Sequence, residues 1–347
     1  MPRLTGARMA DRQAQIAGFL ARVGWGNASQ APLAGDASAR RYLRLRQGDA
    51  CAVLMDADPH LGERVDRFLQ VGLWLRDHGY SAPRVLAEDA GAGFLLLEDL
   101  GDDLVARMVA RDRGQEMPLY LAVTGFLSDL HRQTPPAFLA VADGPVLADL
   151  SARISDWYLP AVDAHPTAAT AAIAGHIVAL HQTLSDGRRV VSLRDFHAEN
   201  LIWLPDRLGP AQAGLLDFQD AFVTDPAYDL VSLCQDARRD VLPETEAACI
   251  HAYVRLNGLD QGRFTALYAL LGVQRALRII AVFARLCLRS GKPQYLAHMP
   301  RVWGHLNRNL AHSALAGLAR AVADGLPRPT PDLIERIREK CGTRPDL

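Results

Sequence analysis

Apolar residues at Ile16, Phe19, Leu20 and Val23 recur at the three- and four-residue intervals of an amphipathic helix. The spacing predicts a helix over 11–23, stopped by Gly24 and Gly26. The period then changes. Tyr42-Leu43-Arg44-Leu45 alternates and Cys51-Ala52-Val53-Leu54-Met55 is continuously apolar, so both read as strands. Glu63 to His78 predicts a second helix ending at Gly79, followed by strand segments at 83–86 and 93–97. Glu98-Asp99-Leu100-Gly101 breaks the apolar run. From Tyr120 onward helical spacing dominates, with an Ala-rich helix over 168–184 and a long apolar one from Phe264 to Arg289. A polar helix follows the loop Pro327 to Pro331. This order predicts an α+β protein: a small β-rich lobe over 1–98 and a larger, mainly helical lobe over 99–347.

One exception inside the helical half carries candidate chemistry. Leu201-Ile202-Trp203-Leu204 and Ala213-Gly214-Leu215-Leu216 read as two strands joined by a turn over Pro205 to Pro210. Such a hairpin brings Asn200 and Asp217 to the same end. Just upstream lies Leu193-Arg194-Asp195-Phe196-His197-Ala198-Glu199-Asn200. An Asp five residues before an Asn, with a second Asp beyond a hairpin, is what kinase-type phosphoryl transfer needs. Asp195 can accept a proton from an attacking hydroxyl, and Asn200 and Asp217 can hold Mg²⁺ against phosphates. The competing reading is an Asx-rich surface loop with a capping Asp.

Composition narrows the classes. The 347 residues suffice for two lobes with sizeable cores, and 49% apolar with 22% charged residues is ordinary for a globular chain. A net charge of -1 shows no nucleic-acid footprint. No unbroken apolar run reaches the roughly 18 residues needed to span a bilayer, and Met1 to Arg12 is polar, so no membrane partner is expected and the cytoplasm is the expected compartment. The five cysteines are far apart without a C-x-x-C pair, and read as reduced packing thiols rather than a zinc site. Leu33 to Arg40 is small and polar enough to lie over a phosphate, but holds a single glycine. Lysine occurs only at Lys292 and Lys340; every other basic residue of this class is arginine.

Taken together, these residues resemble the aminoglycoside phosphotransferase and choline kinase branch of the bilobal protein-kinase-like fold. The broad match rests on Asp195-Phe196-His197 through Asn200, on Asp217, and on Asp225-Pro226-Ala227-Tyr228-Asp229-Leu230. Within that branch the chain is most similar to the bacterial anomeric kinases of N-acetylmuramate and N-acetylglucosamine. That narrower match rests on Asp36-Ala37-Ser38-Ala39-Arg40-Arg41-Tyr42, Met55-Asp56-Ala57, Asp217-Phe218-Gln219-Asp220-Ala221 and Tyr228-Asp229-Leu230-Val231-Ser232-Leu233. It continues through Phe283-Ala284-Arg285-Leu286 and Ser290-Gly291-Lys292-Pro293 to Pro300-Arg301-Val302. The resemblance implies ATP and Mg²⁺ as cofactors, an amino sugar as acceptor, an α-1-phosphate product, and a place in recycling cell-wall sugars. It implies that the first lobe binds nucleotide, with adenine held by backbone groups of Glu98 and Leu100; an ordinary interdomain linker is the alternative. His197, Gln219 and Asp220 are candidate substrate contacts, although His197 equally reads as a loop-packing group and could also meet a phosphate. The resemblance gives Asp229 the bracing of the catalytic loop, or else a helix cap.

Two positions depart from that pattern. Kinases of this fold carry a strand lysine that pairs with nucleotide phosphates; the matching strand here ends in Met55. Either an arginine such as Arg40 or Arg41 neutralises the phosphate charge or the metal carries most of it, and Glu63 stands near the place of the kinase helix glutamate. Leu193 stands where a scaffold histidine is usual. Arg275, Arg278, Arg285 and Arg289 punctuate the long apolar helix without an acid, which speaks against a polycationic antibiotic as acceptor. Arg275, Arg278 and Arg285 are candidates to meet the lactyl carboxylate of N-acetylmuramate, or to brace the fold. The alternatives are an aminoglycoside or other small-alcohol phosphotransferase, and a catalytically silent nucleotide-binding module.

Overall fold

The computed structural model describes residues 6–33 and 40–344, with side chains from Asp11. Of the stretch Leu33 to Arg40 expected to cover a phosphate, residues 34–39 lie outside the described residues. In chain order the strands are β1 (Ser29–Pro32), β2 (Arg41–Gln47), β3 (Ala50–Asp56), β4 (Val85–Asp89), β5 (Phe94–Glu98), β6 (Val190–Ser192), β7 (Leu201–Trp203), β8 (Ala213–Leu215) and β9 (Phe222–Thr224). The helices are α1 (Gly6–Arg22), α2 (Asp66–Asp77), α3 (Val105–Arg111), α4 (Glu116–Leu130), α5 (Gly144–Ala161), α6 (Ala168–Leu184), α7 (Ala227–Cys234), α8 (Pro243–Asn257), α9 (Gln261–Leu288), α10 (Met299–Leu310), α11 (Ala316–Gly325) and α12 (Pro331–Glu339).

The chain divides into two compact units, one of 1–107 with 199–220, the other of 108–198 with 221–347. The first therefore runs past the lobe boundary expected at 98 and includes the β7–β8 hairpin.

In the first unit an antiparallel sheet has the order β1-β2-β3-β5-β4. Ile16, Phe19 and Leu20 of α1 pack into one core with Leu45, Ala52, Leu54, Phe94 and Leu96, which is why the helical period of the first segment and the alternation of the strands agree. The register sets Tyr42 opposite Met55 and Arg41 opposite Asp56. Gly93 enters β5 at φ 76°, and a Cβ there would stand 2.0 Å from the carbonyl oxygen of Ala57, so only glycine fits. Helix α2 begins at Asp66, three residues after the expected start, and Glu63 precedes it.

Strands β7 and β8 are too short to bury themselves, and draw partners from the segment 81–104. Leu215 N–H donates to the carbonyl oxygen of Ser81 at 2.9 Å, and Trp203 N–H to that of Asp103 at 2.8 Å. Arg207 in the turn reaches Glu98 at 2.8 Å and Ser81 Oγ at 2.7 Å.

The second unit is built around α9, which packs against α5, α6, α7 and α10. By length and composition alone α9 matches a membrane-crossing helix, but its most apolar stretch is 83% buried among its neighbours, as a core helix. Strands β6 and β9 pair antiparallel, Ser192 opposite Phe222, and frame the loop that follows β6. All five cysteines are free thiols.

Candidate active site

In the second unit, the loop after β6 turns sharply. Arg194 adopts φ 70°, a left-handed conformation costly for a side-chain-bearing residue, and Asp195 N–H donates to the carbonyl oxygen of Leu193 at 2.8 Å. Three neighbours hold this geometry. Asp229, on α7, accepts from Leu193 N–H at 2.6 Å, from Arg194 N–H at 3.1 Å and from Ser192 Oγ at 2.6 Å. Arg275, on α9, donates to the carbonyl oxygen of Arg194 at 2.8 Å and to Ser232 Oγ at 2.7 Å, with its guanidinium 4.7 Å from the Tyr228 ring centre. Phe196 anchors the loop by stacking on Phe126 of α4, and Leu193 is buried as an apolar packing group. Burial pushes the Asp229 carboxyl up to about 6, against its hydrogen bonds.

Asp195 sits half-buried at the turn. Burial works to raise its pKa, but Arg278, followed by Arg275, His197 and Arg194, outweighs it, and the carboxyl lies below the usual range. It is therefore a carboxylate at neutral pH, able to receive a proton. His197 accepts at Nε2 from Arg238 Nη1 at 3.0 Å. Because arginine only donates, this bond puts the neutral ring's proton on Nδ1, a buried atom with no partner among the described residues. Burial also holds this histidine's pKa below its ordinary value. Arg278 reaches the Tyr228 hydroxyl at 3.5 Å, while Arg285 is half-buried, its pKa lowered by burial and then by the charges of Arg289 and Arg278.

In the first unit, Leu216 N–H donates to the carbonyl oxygen of Asn200 at 2.9 Å, extending the β7–β8 ladder by one step. Asn200 and Asp217 thus flank one end of the hairpin. Asp217 is left-handed, at φ 55°, and takes a 2.6 Å hydrogen bond from Gln219 Nε2. Phe218 stacks on Phe68 of α2 at 4.8 Å and lies against Gly72, where an added Cβ would come within 3.3 Å of the ring. Asn200, Asp217 and Gln219, whose buried Oε1 has no partner among the described residues, offer hard oxygen donors at one end of the hairpin. That set fits Mg²⁺, which takes one or two carboxylates and keeps sites for phosphate and water. Asp220 is exposed.

Arg40 and Arg41 diverge. Arg41 pairs with Asp56, which also receives Arg12 Nε at 2.9 Å, whereas Arg40 Nε lies 2.9 Å from Glu63 Oε2. Glu98 ends β5, and its N–H donates to the carbonyl oxygen of Arg84 at 2.8 Å; Leu100 is buried. Sequence reasoning missed Arg238 behind His197, Arg207 behind the hairpin, and the bond from Arg275 to the loop after β6. The charge run Asp236-Ala237-Arg238-Arg239-Asp240 after α7 was the one local signal for the first of these.

A family model described as a phosphotransferase enzyme family matches residues 29–268. The chain is 39% identical to the N-acetylmuramate/N-acetylglucosamine kinase of Caulobacter vibrioides, an alignment covering 89% of this chain and 95% of that protein. Its fold is similar to that of a choline/ethanolamine kinase family protein from Mesorhizobium loti, with a TM-score of 0.60 at 14% identity over 90% of this chain and 100% of that one. An aminoglycoside phosphotransferase from Streptomyces rimosus, solved in complex with ADP and streptomycin, gives a TM-score of 0.51 at 18% identity, covering 75% of this chain and 97% of that one. At those identities the solved structures speak to the fold, which is protein-kinase-like: a β-sheet region followed by a mainly helical part.

Proposed function

Because this chain belongs to the phosphotransferase enzyme family, we propose that it transfers the γ-phosphate of ATP to the anomeric hydroxyl of N-acetylmuramate or N-acetylglucosamine, giving the α-1-phosphate. The coarser part of this reading, a sugar kinase, follows from its curated relatives. The observation that supports the whole most is the 39% identity, over 89% of the chain, to a kinase named for both sugars.

In this reading Asp195, ionised by its arginine neighbours, accepts the hydroxyl proton as the sugar oxygen attacks the γ-phosphorus. The bond to the β-phosphate oxygen breaks, ADP leaves, and the proton remains on the carboxyl. Asn200 and Asp217 would hold Mg²⁺, which supplies charge neutralisation of the phosphates. Their work is to orient; the reaction depends mainly on position and electrostatics. His197 offers its Nδ1–H to a sugar oxygen, with Gln219 and Asp220 as further sugar contacts. Arg278 is the cation for a lactyl carboxylate, since an unpaired buried charge is costly. Arg275 was a candidate for the same task, but its bonds to Arg194 and Ser232 favour bracing. With the Glu98 N–H already donated to Arg84, adenine would fall to the Glu98 carbonyl and the Leu100 N–H. The compartment that goes with this reading is the cytoplasm, where ATP is, and the role is recycling of cell-wall sugars. It involves no nucleic acid or membrane.

Met55, in place of a strand lysine, favours one second reading: a nucleotide-binding module without turnover. ATP consumption over free sugars, their 1-O-methyl glycosides, 6-deoxy sugars and aminoglycosides separates the cases. Free and 6-deoxy N-acetylated sugars should react and 1-O-methyl glycosides should not. Phosphorylation of a 1-O-methyl glycoside would end the anomeric assignment, and ATP binding without turnover on any acceptor would favour the silent module.

A further inference from the structure

The strand that should carry a phosphate-binding lysine carries Met55 here, fully buried opposite Tyr42 and Leu95, and the chain has no lysine before Lys292. A cation is nevertheless built into the same face of the first unit. Arg40 precedes β2 by one residue and its side chain hydrogen-bonds that of Tyr42, whereas Arg41, the next residue of the strand, points to the other face. Arg41 and Arg12 both go to the buried Asp56, which leaves that pair engaged in holding the sheet to α1. Arg40 instead forms an ion pair with Glu63 at 2.9 Å, with side chains only 13% and 15% exposed.

A pair buried that deeply is costly in desolvation and is a poor source of stability by itself. Its surroundings point to a ligand. The Tyr42 hydroxyl, pushed up to about 12 mainly by burial, feels the positive charge of Arg40 and the negative charges of Asp217 and Glu63. Arg40 also hydrogen-bonds the side chain of Tyr42, the residue opposite Met55, and Tyr42 lies within electrostatic reach of the hairpin end that carries Asp217. Phe218, stacked on Phe68 of α2, locks that hairpin end against the helix that Glu63 precedes.

We propose that Arg40 is the nucleotide-phosphate cation of this protein, held in position by Glu63, and that the pair replaces the missing strand lysine and its glutamate. The proposal rests on the nucleotide reading above and names the residue that reads the phosphates. Arg40 would touch a phosphate oxygen; Glu63 is a positioning residue that acts through it. A guanidinium suits this task because it stays charged and donates two parallel hydrogen bonds to a phosphate.

The test is titration calorimetry of the full chain with ADP and with adenosine, in the presence and absence of Mg²⁺, alongside thermal melting. In Arg40→Ala the preference for ADP over adenosine should shrink by about tenfold to a hundredfold, as expected for losing a hydrogen bond to a charged group. Adenosine affinity should stay within about twofold, since only the phosphate contact is removed. The loss should persist without Mg²⁺. Arg40→Lys should recover part of the preference, and Glu63→Gln should lose part of it while Arg40 is present. Equal weakening of ADP and adenosine would reduce the pair to a structural brace and overturn the proposal. So would an unchanged preference in Arg40→Ala, or a loss seen in Arg41→Ala in its place. If the unaltered chain binds neither ADP nor adenosine, the nucleotide reading fails and the proposal with it; if it binds ADP and only the Arg40 result fails, the reading stands alone.

Discussion

Leu216 donates its backbone N–H to the carbonyl oxygen of Asn200 at 2.9 Å, and this single bond sets the spacing of the proposed metal ligands. Asn200 precedes β7 and Asp217 follows β8 by one residue more than Leu216, so the ladder register delivers both to one hairpin end. Asp217 has a left-handed backbone, and Phe218 beside it packs on Phe68 of α2. The arrangement makes the two residues a unit, and their variants are expected to behave alike.

Asp217→Asn should raise the Mg²⁺ concentration needed for half-maximal turnover as well as lower the maximal rate, because a charged oxygen ligand becomes neutral. Asn200→Ala should shift the same titration in the same direction. A Mg²⁺ titration that superimposes on the unaltered protein's would remove Asp217 from the metal.

Asp195→Ala should lower turnover by about 10²–10⁴-fold, the range that a positioned base contributes. Nucleotide affinity and thermal midpoint should change little, because only one loop carboxylate is lost from the ground state. If steady-state assays find more than about a tenth of normal turnover, the proton goes elsewhere.

Arg275 and Arg278 should part company. Arg275→Ala removes the stronger of the two hydrogen bonds on the carbonyl oxygen of Arg194, leaving the 3.3 Å bond from Ser232 Oγ, so both sugars should be turned over more slowly and the thermal midpoint should fall. Arg278→Ala should reduce turnover of N-acetylmuramate more than that of N-acetylglucosamine. Comparing kcat/KM for both sugars in both variants decides the matter; an equal loss for the two sugars in Arg278→Ala would make it a brace as well.

The pH dependence should carry the mark of Asp229, whose carboxyl is raised by burial from 3.8 to about 6. Within that interval the folded protein holds a proton that the unfolded chain has released. The group's contribution to stability is therefore complete below the interval and is lost as pH rises through it. Protonation also takes an acceptor from Leu193 and Arg194 N–H, so turnover should fall as pH drops through about 6 while Asp195 stays ionised. Thermal midpoints measured from pH 4 to 8 should lose this component in Asp229→Asn. An identical profile in that variant would assign the dependence to another group.

Much of this was legible in the sequence because it depends on local patterns. The period of Ile16, Phe19 and Leu20, the apolar strand around Leu54 and the helix over 168–184 follow from which faces must leave water, and they stand close to where the spacing put them. The two strands flanking Pro205 to Pro210 and the juxtaposition of Asn200 with Asp217 followed from turn chemistry and ladder geometry, both short-range. Tertiary structure alone decided the rest. The three-residue strands β6 and β9 carry too few positions to show a period, and exist because each pairs with the other across 30 residues of chain. The hairpin belongs with the first unit because Ser81, Glu98 and Asp103 supply its missing hydrogen bonds. Arg40 and Arg41 are neighbours of the same type, and nothing local separates them. Only the positions of Glu63 and Asp56 in the folded chain give one a partner near the hairpin end and the other a place in the core, because a buried charge goes where an opposite charge already stands.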